Sequence, residues 1–140
     1  MKALTIAQPY AELIALGQKR VENRVWWTRY RGPLYIHAGK SRQWLDTEFS
    51  HDGYEIDRPT GIYLSMMDFG AVIATAELID CIHVDTILRG ACDEQYPWLR
   101  AHKHVSGPYC WVLDHVLRLS KPVPYRGAQG LFDIPFMVAA

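Results

Sequence analysis

The sequence predicts an α+β domain made mostly of strands, and three stretches carry that prediction. Ala71 to Ile82 is a long run of apolar, small and β-branched residues. Tyr109 to Leu119 sets Tyr109, Trp111 and Leu113 on one side against Cys110, Val112 and Asp114 on the other. Gln8 to Ser41 reads as a helix, a charged strand, an aromatic and arginine-rich turn, and a second strand closing on a small polar loop.

In chain order, Ala3 to Ile6 is short and apolar and predicts a first strand. Pro9 suits the first helical position, where its missing N–H costs nothing, and Gly17 suits the C-terminal cap. Tyr10, Leu13 and Ile14 fall on one face between them, so the helix is amphipathic and about two turns long. From Arg20 to Trp26 the residues alternate, with Val21, Asn23 and Val25 on one side and Arg20, Glu22, Arg24 and Trp26 on the other. Gly32-Pro33 signals a turn, and Leu34, Ile36 and Ala38 alternate with Tyr35 and His37 in the next strand.

Ser41 is placed to cap a helix running through Phe49, with Trp44, Leu45 and Phe49 on its apolar side. Ser50 to Thr60 reads as loop, and Gly61 to Met67 fits helix or strand equally. Ala71, Ala74 and Ala76 suggest a helix packed closely over Ala71 to Ile82, the longest strand and the central one. Val84 to His104 predicts a short helix capped by Asp85 and then an irregular excursion broken at Pro97. Lys121 to Pro124 is an extended connector, and Leu131 to Ile134 a last short strand. No repeat or low-complexity tract divides the chain, and residues 1–140 are expected to form one domain.

The charge is balanced overall, with fifteen Lys and Arg against fifteen Asp and Glu, but it is segregated. Lys19, Arg20, Arg24, Arg29, Arg31, Lys40 and Arg42 face only Glu22 between Gly17 and Arg42, whereas Gln43 to Glu94 holds eleven acids and only Arg58 and Arg89. Trp26, Trp27, Tyr30 and Tyr35 are interleaved with the cations. Cations bind phosphate and aromatic faces stack on bases, so this stretch has the chemistry of a nucleotide or single-stranded nucleic-acid site. A neutral chain lacks the broad positive field of non-specific duplex binding, which disfavours duplex DNA.

Gly17-x-Lys19-x-x-Glu22-x-Arg24, preceded by Gln8-Pro9-Tyr10, resembles the signature of ASCH domains. The resemblance extends more weakly to Gly70–Cys81, Gly107–Leu113 and Gln129-Gly130-Leu131-Phe132, and so covers nearly the whole chain. It implies a small mixed β-barrel of the PUA-like group with helices packed on its outside. It also implies an association with RNA, through a cleft where the Lys, Glu and Arg positions meet. One branch of small ASCH proteins removes the acyl group of N4-acetylcytidine, and ribonuclease activity is proposed for others. The deacylating branch has the lysine found here as Lys19, but threonine in place of Glu22. Its third residue is a glutamate beyond the central strand, for which Asp93 and Glu94 are the loose candidates.

Three function classes therefore stand open. The first is a module that binds RNA, single-stranded nucleic acid or a modified nucleoside. Its cleft would draw on Gln8, Pro9, Lys19, Glu22, Arg24, Trp26, His37, Lys40 and, at its edge, Tyr109 and Gln129. The second is a hydrolase: in an N4-acetylcytidine amidohydrolase Lys19 would be base or activated amine, Glu22 would relay a proton and Arg24 would stabilise the oxyanion, and in a ribonuclease the same Lys and Arg would stabilise the phosphorane-like charge with Glu22 or His37 as base. A protein-interaction adaptor is the third reading, favoured if side chains fill the cleft. Strict alternation puts Lys19 on the far face from Glu22, so the shared cleft requires Lys19 to precede the regular strand or to sit on a bulge.

Other motifs are weaker. Gly39-Lys40-Ser41 copies the tail of a phosphate-binding loop, but Leu34 stands where its first glycine is needed. Asp68-Phe69-Gly70 copies the kinase metal motif in a chain far too short for a kinase, and is read as a turn. The six histidines follow no metal-site spacing, and no cofactor or metal is called for. Cys81, Cys92 and Cys110 are odd in number and lack CxxC spacing; Cys81 and Cys110 sit in apolar strands and should be buried. With no signal-like leader and no apolar run near about 20 residues, a cytoplasmic, non-membrane protein is expected.

Overall fold

The computed structural model describes residues 1–135. Nine strands and two short α-helices occur among them. The first half holds β1 (Lys2–Ile6), α1 (Tyr10–Ala15), β2 (Val21–Arg24), β3 (Gly32–Ala38), β4 (Thr47–Phe49), β5 (Glu55–Asp57) and β6 (Ile62–Tyr63). A 3₁₀ turn (Leu64–Met66), β7 (Ala71–His83), α2 (Val84–Leu88), β8 (Tyr109–Pro124) and β9 (Leu131–Asp133) follow. Six strands form one mixed sheet in the order β2-β8-β7-β3-β1-β9, curled into a half-barrel, and β4-β5-β6 form a small separate sheet. β1 and β3 run parallel, and the other pairings are antiparallel.

The core explains why β3 shows almost no polar face. Leu34, Ile36 and Ala38 join Ala11 and Ile14 of α1, Ala74, Ala76 and Leu78 of β7, and Trp111 and Leu113 of β8 on one side of the sheet. Tyr35 points to the other side, among Ala3, Val72, Leu119 and Ile134. A strand buried on both faces reads as a continuous apolar run. The alternation in β8 divides in the same way: Trp111 and Leu113 face α1, while Cys110 and Val112 pack with Val21, Ile87, Tyr96 and Leu99. The alanines of β7 let α1 lie close, as their size suggests. Each fully buried Ile or Leu here is worth about 1.5–3 kcal/mol.

Helix α1 starts one residue later than the sequence predicts, with Pro9 at the N-cap. The Gln8 side chain caps it instead, its Oε1 accepting from the Glu12 amide at 2.9 Å while its Nε2 donates to the Asp68 carbonyl at 2.8 Å. Gly17, at φ +80°, turns the chain out of the helix in the left-handed conformation glycine adopts readily. Glu12, 3% exposed, receives a two-pronged contact from Arg118 of β8, with Nη1 donating to Oε1 at 3.2 Å and Nη2 to Oε2, which ties α1 to the sheet.

Other expectations are corrected. Residues 41–49 form no helix: the segment turns, and Thr47–Phe49 pair with Glu55–Asp57. Asp57 holds that register by accepting from the Asp46 amide at 2.9 Å, and Arg58 forks onto the Asp46 carboxylate. A strand therefore also interrupts the loop expected over 50–60. Gly61 to Met67 resolves into β6 and the 3₁₀ turn. The longest strand is β8 (16 residues), not β7 (13), because Lys121 to Pro124 continue it, with Val123 opposite Val72 and Pro124 opposite Ala71. Helix α2 is capped by His83, whose Nδ1 accepts from the Asp85 amide at 3.2 Å, rather than by Asp85.

Candidate functional site

The path into β2 sets the geometry. After Gly17, the amides of Gln18 and Lys19 both donate to the Leu13 carbonyl, at 3.0 and 3.1 Å, so Lys19 belongs to the end of α1 and precedes the regular strand. Its side chain is thereby free of the strand alternation and reaches the face of Glu22 and Arg24. Lys19 Nζ lies 2.8 Å from Glu22 Oε1 and also donates to the Val21 carbonyl. Arg24, two residues along the same face, donates from Nε to Glu22 Oε2 at 3.0 Å and from Nη2 to the Thr5 carbonyl of β1 at 2.7 Å. Lys19 and Glu22 are almost wholly enclosed, with side chains 4% and 10% exposed, and Arg24 is more open at 24%. Two cations thus share one carboxylate, leaving net positive charge.

A cleft of about 830 Å³ opens over this group. It is lined by Thr5, Ile6 and Ala7 at the end of β1, by Val25 and Trp26 after β2, by Gly39, Lys40, Ser41 and Trp44 after β3, and by Lys103, His104 and Ser106 before β8. Tyr10 and Trp44 are neighbours, ring centres 6.5 Å apart and tilted by 56°. Trp26 stands edge-on to Trp111, centres 4.7 Å apart, and its carbonyl accepts from the Trp111 indole at 3.3 Å. Trp44 is 56% exposed and Lys40 is exposed, so aromatic and cationic groups are both presented to solvent.

The 102–107 segment is held against β2 by Asn23, whose side chain leaves the strand on the face opposite Glu22. Its Nδ2 donates to the His104 carbonyl at 2.7 Å, and its Oδ1 accepts from the amides of Ser106 (3.0 Å) and Gly107 (2.8 Å). Gly107 has φ +75°, and a Cβ there would meet Val84 Cβ at 2.6 Å, so the turn requires glycine. His102 Nε2 accepts from the Arg20 amide at 3.1 Å, and its ring lies 5.5 Å from that of His104. Burial first, then the positive charge of Lys19, pushes both imidazoles below their ordinary pKa.

Of the residues singled out in the sequence, Lys19, Glu22, Arg24, Trp26 and Lys40 meet at this cleft. Gln8 and Pro9 are buried behind it, where they shape the start of α1. His37 is also elsewhere, at 1% exposure. The Tyr125 carbonyl, 2.6 Å from its Nε2, can only accept, so Nε2 carries the proton and Nδ1 accepts from the Thr5 hydroxyl at 3.1 Å. It thus supports Thr5, the residue whose carbonyl holds Arg24. Tyr109 packs edge-on to His83, and Gln129 is exposed on the turn before β9; neither lines the cleft. Trp44, Lys103 and His104 were not among the site residues read from the sequence. Lys103 and His104 lie on the irregular segment that follows Pro97, and Trp44 lies where the expected helix gives way to a turn, so no sequence pattern shows which way these side chains point.

Neither Cys81 nor Cys110 is accessible, and burial raises the thiol pKa of both. Among the described residues no group of three or more His, Cys, Asp or Glu side chains is placed to hold a metal ion. No helix among them is long and apolar enough to cross a membrane.

Comparison with known proteins agrees with this architecture. The ASCH domain family model matches residues 4–122. Activating signal cointegrator 1 of Homo sapiens is 32% identical over 133 residues, which is 94% of this chain but 22% of that protein. The Mus musculus protein of the same name is 33% identical over 81 residues, 56% of this chain and 14% of that one. The chain thus spans less than a quarter of the length of these curated relatives. Among solved structures, ASCH from Zymomonas mobilis superposes with a TM-score of 0.51 at 14% identity, covering 95% of this chain and 86% of the other. A point mutant of that protein gives 0.54 at 14% identity, covering 95% and 87%. These solved structures share the fold; with the family match over most of its length, the chain belongs to the ASCH domain family.

Proposed function

We propose that the cleft beside β2 binds single-stranded RNA or a nucleoside within it. The observation that carries this reading is the composition of one cavity among the described residues: Lys19, Arg24, Lys40 and Lys103 as cations, Glu22 as the sole acid, and Tyr10, Trp26 and Trp44 as aromatic faces. Exposed lysines at the rim suit phosphates, the tryptophans suit stacked bases, and the partly open Arg24 guanidinium offers a donor to a base edge or a phosphate. The RNA association that the family resemblance implies points the same way.

The geometry favours recognition over bond breaking. Lys19 Nζ is committed to Glu22 and to the Val21 carbonyl, and both Glu22 oxygens are occupied, so neither group stands ready as nucleophile or base. The arrangement instead holds Arg24 rigidly, with its carboxylate and carbonyl partners in place before a ligand arrives.

Equilibrium titration of single-stranded RNA at fixed salt tests the reading. Trp44→Ala should weaken binding by about 5- to 100-fold, the usual effect of removing one stacking platform. Replacing both Lys40 and Lys103 with alanine should make the salt dependence of binding shallower, by about one unit for each phosphate that is no longer neutralised. Equal affinity of the wild type and all these variants would rule the cleft out.

A further inference from the structure

The loop between β2 and β3, residues 25–31, has two sides. Val25 and Trp26 line the cleft. Trp27, whose Cα follows that of Trp26 by about 3.8 Å, turns away from it, and its indole Nε1 donates to the Cys81 carbonyl at 3.3 Å. That hydrogen bond fixes one edge of the ring, yet the residue remains 51% exposed. Arg31 is held beside it: Nη1 donates to the carbonyls of Thr28 and Tyr30, each at 2.8 Å, and the guanidinium carbon sits 5.8 Å from the Trp27 ring centre. The nearest acid to Arg31 is Asp80 at 3.7 Å, which also accepts from the Tyr96 hydroxyl. Arg29, between them in sequence, is exposed and makes no ion pair or hydrogen bond among the described residues.

A lone exposed tryptophan is ordinary on a protein surface. This one differs by its company: a ring anchored at one edge, a positioned guanidinium, a second arginine free to meet a ligand, and direct continuity with the cleft wall. A base stacked on Trp27 would lie across the loop from one held beside Trp26, and Arg29 and Arg31 would neutralise the phosphates between. A free nucleoside cannot bridge these two places, whereas a strand can.

We propose that the outer side of the 25–31 loop is a second nucleotide subsite, with Trp27 as its stacking platform and Arg29 and Arg31 as its phosphate-binding cations. The ligand is then a single strand crossing the loop rather than a free nucleoside. This rests on the cleft reading above and extends it.

The test compares a mononucleotide, uridine monophosphate, with a short single-stranded oligouridylate and its deoxy counterpart. Wild-type protein is set against Trp27→Ala, Arg29→Glu and Trp44→Ala. Arg29 is exposed and has no partner among the described residues, so its reversal leaves the fold intact and keeps the test meaningful even if Trp27→Ala destabilises the loop. Trp27→Ala and Arg29→Glu should each weaken the oligomer by about 5- to 100-fold while leaving the mononucleotide unchanged, whereas Trp44→Ala should weaken both. Equal weakening for the ribo and deoxy strands would make the subsite a reader of stacking and phosphate, and weakening confined to the ribo strand a reader of the 2′-hydroxyl; either supports it. Oligomer binding that falls in Trp44→Ala but is untouched by Trp27→Ala and Arg29→Glu would overturn the second subsite alone. Failure of the wild type to bind any of the three would overturn the cleft reading and this one with it.

Discussion

Glu22 and Arg24 are joined through a single carboxylate oxygen: Oε2 accepts from Arg24 Nε at 3.0 Å and lies 2.8 Å from Nη2. The other oxygen is left to Lys19. One side chain therefore compensates two cations, one of them buried. Removing one member of such a group leaves an unpaired buried charge, which costs far more than the pair itself contributes. Glu22→Ala should destabilise the fold by about 3–5 kcal/mol, read as a lower urea midpoint with unchanged slope. Arg24→Ala, whose partner keeps Lys19 and whose own site is partly open, should cost clearly less. Equal costs would mean that Lys19 is not what Glu22 serves.

Asn23 carries the second prediction. It stitches the 104–107 segment to β2 through three backbone hydrogen bonds, next to Lys103, His104 and Ser106 at the cleft rim. Asn23→Ala should cost about 2–3 kcal/mol, at roughly 1 kcal/mol for each hydrogen bond removed. Amide hydrogen exchange should rise at Ser106 and Gly107 before it rises in β7 or β8. Uniform acceleration across the sheet would show that the loop is not a separately held unit.

The pH dependence follows from groups outside the charged triad. His102 and His104 have folded pKa values below the ordinary 6.5, chiefly through burial, so the unfolded chain binds protons first as pH falls. Stability should hold above about 6.5 and decline as pH drops from there towards the lowered values. At the other end, burial and the Asp80 carboxylate raise Tyr96 to about 12. Its contribution is complete below the ordinary value of 10 and is lost as pH rises from there to about 12. Thermal midpoints across pH check both limbs, with Tyr96→Phe flattening only the alkaline one.

The sequence made part of this legible, and particular residues show where it stopped. Period-two alternation puts Glu22 and Arg24 on one face, and the same count requires Lys19 either to precede the strand or to sit on a bulge; the helix end at Gly17 decides for the first. His37 shows the limit. It shares the face of Tyr35, but both sides of β3 are buried, so a strand position with the pattern of a cleft edge lies in the interior beside Thr5. Trp44, Leu45 and Phe49 have helix-like spacing, yet the pairing of Thr47–Phe49 with Glu55–Asp57 decides the backbone there, and no local pattern encodes a partner. Trp44 and Lys103 reach the cleft from turns, where residue type is visible and direction is not.

If the cleft over Glu22 and Arg24 receives a single strand of RNA, the tryptophans on its walls must sense the ligand. Their indole N–H resonances, among the five in the chain, can be followed while single-stranded RNA is added. Trp26 and Trp44, which line the cleft, should shift together and saturate at one affinity. Trp98, which sits under the Arg20 guanidinium at 3.8 Å and does not line the cleft, should stay in place. RNA that binds while Trp26 and Trp44 remain unmoved, or that does not bind at all, would contradict recognition of a strand in this cleft.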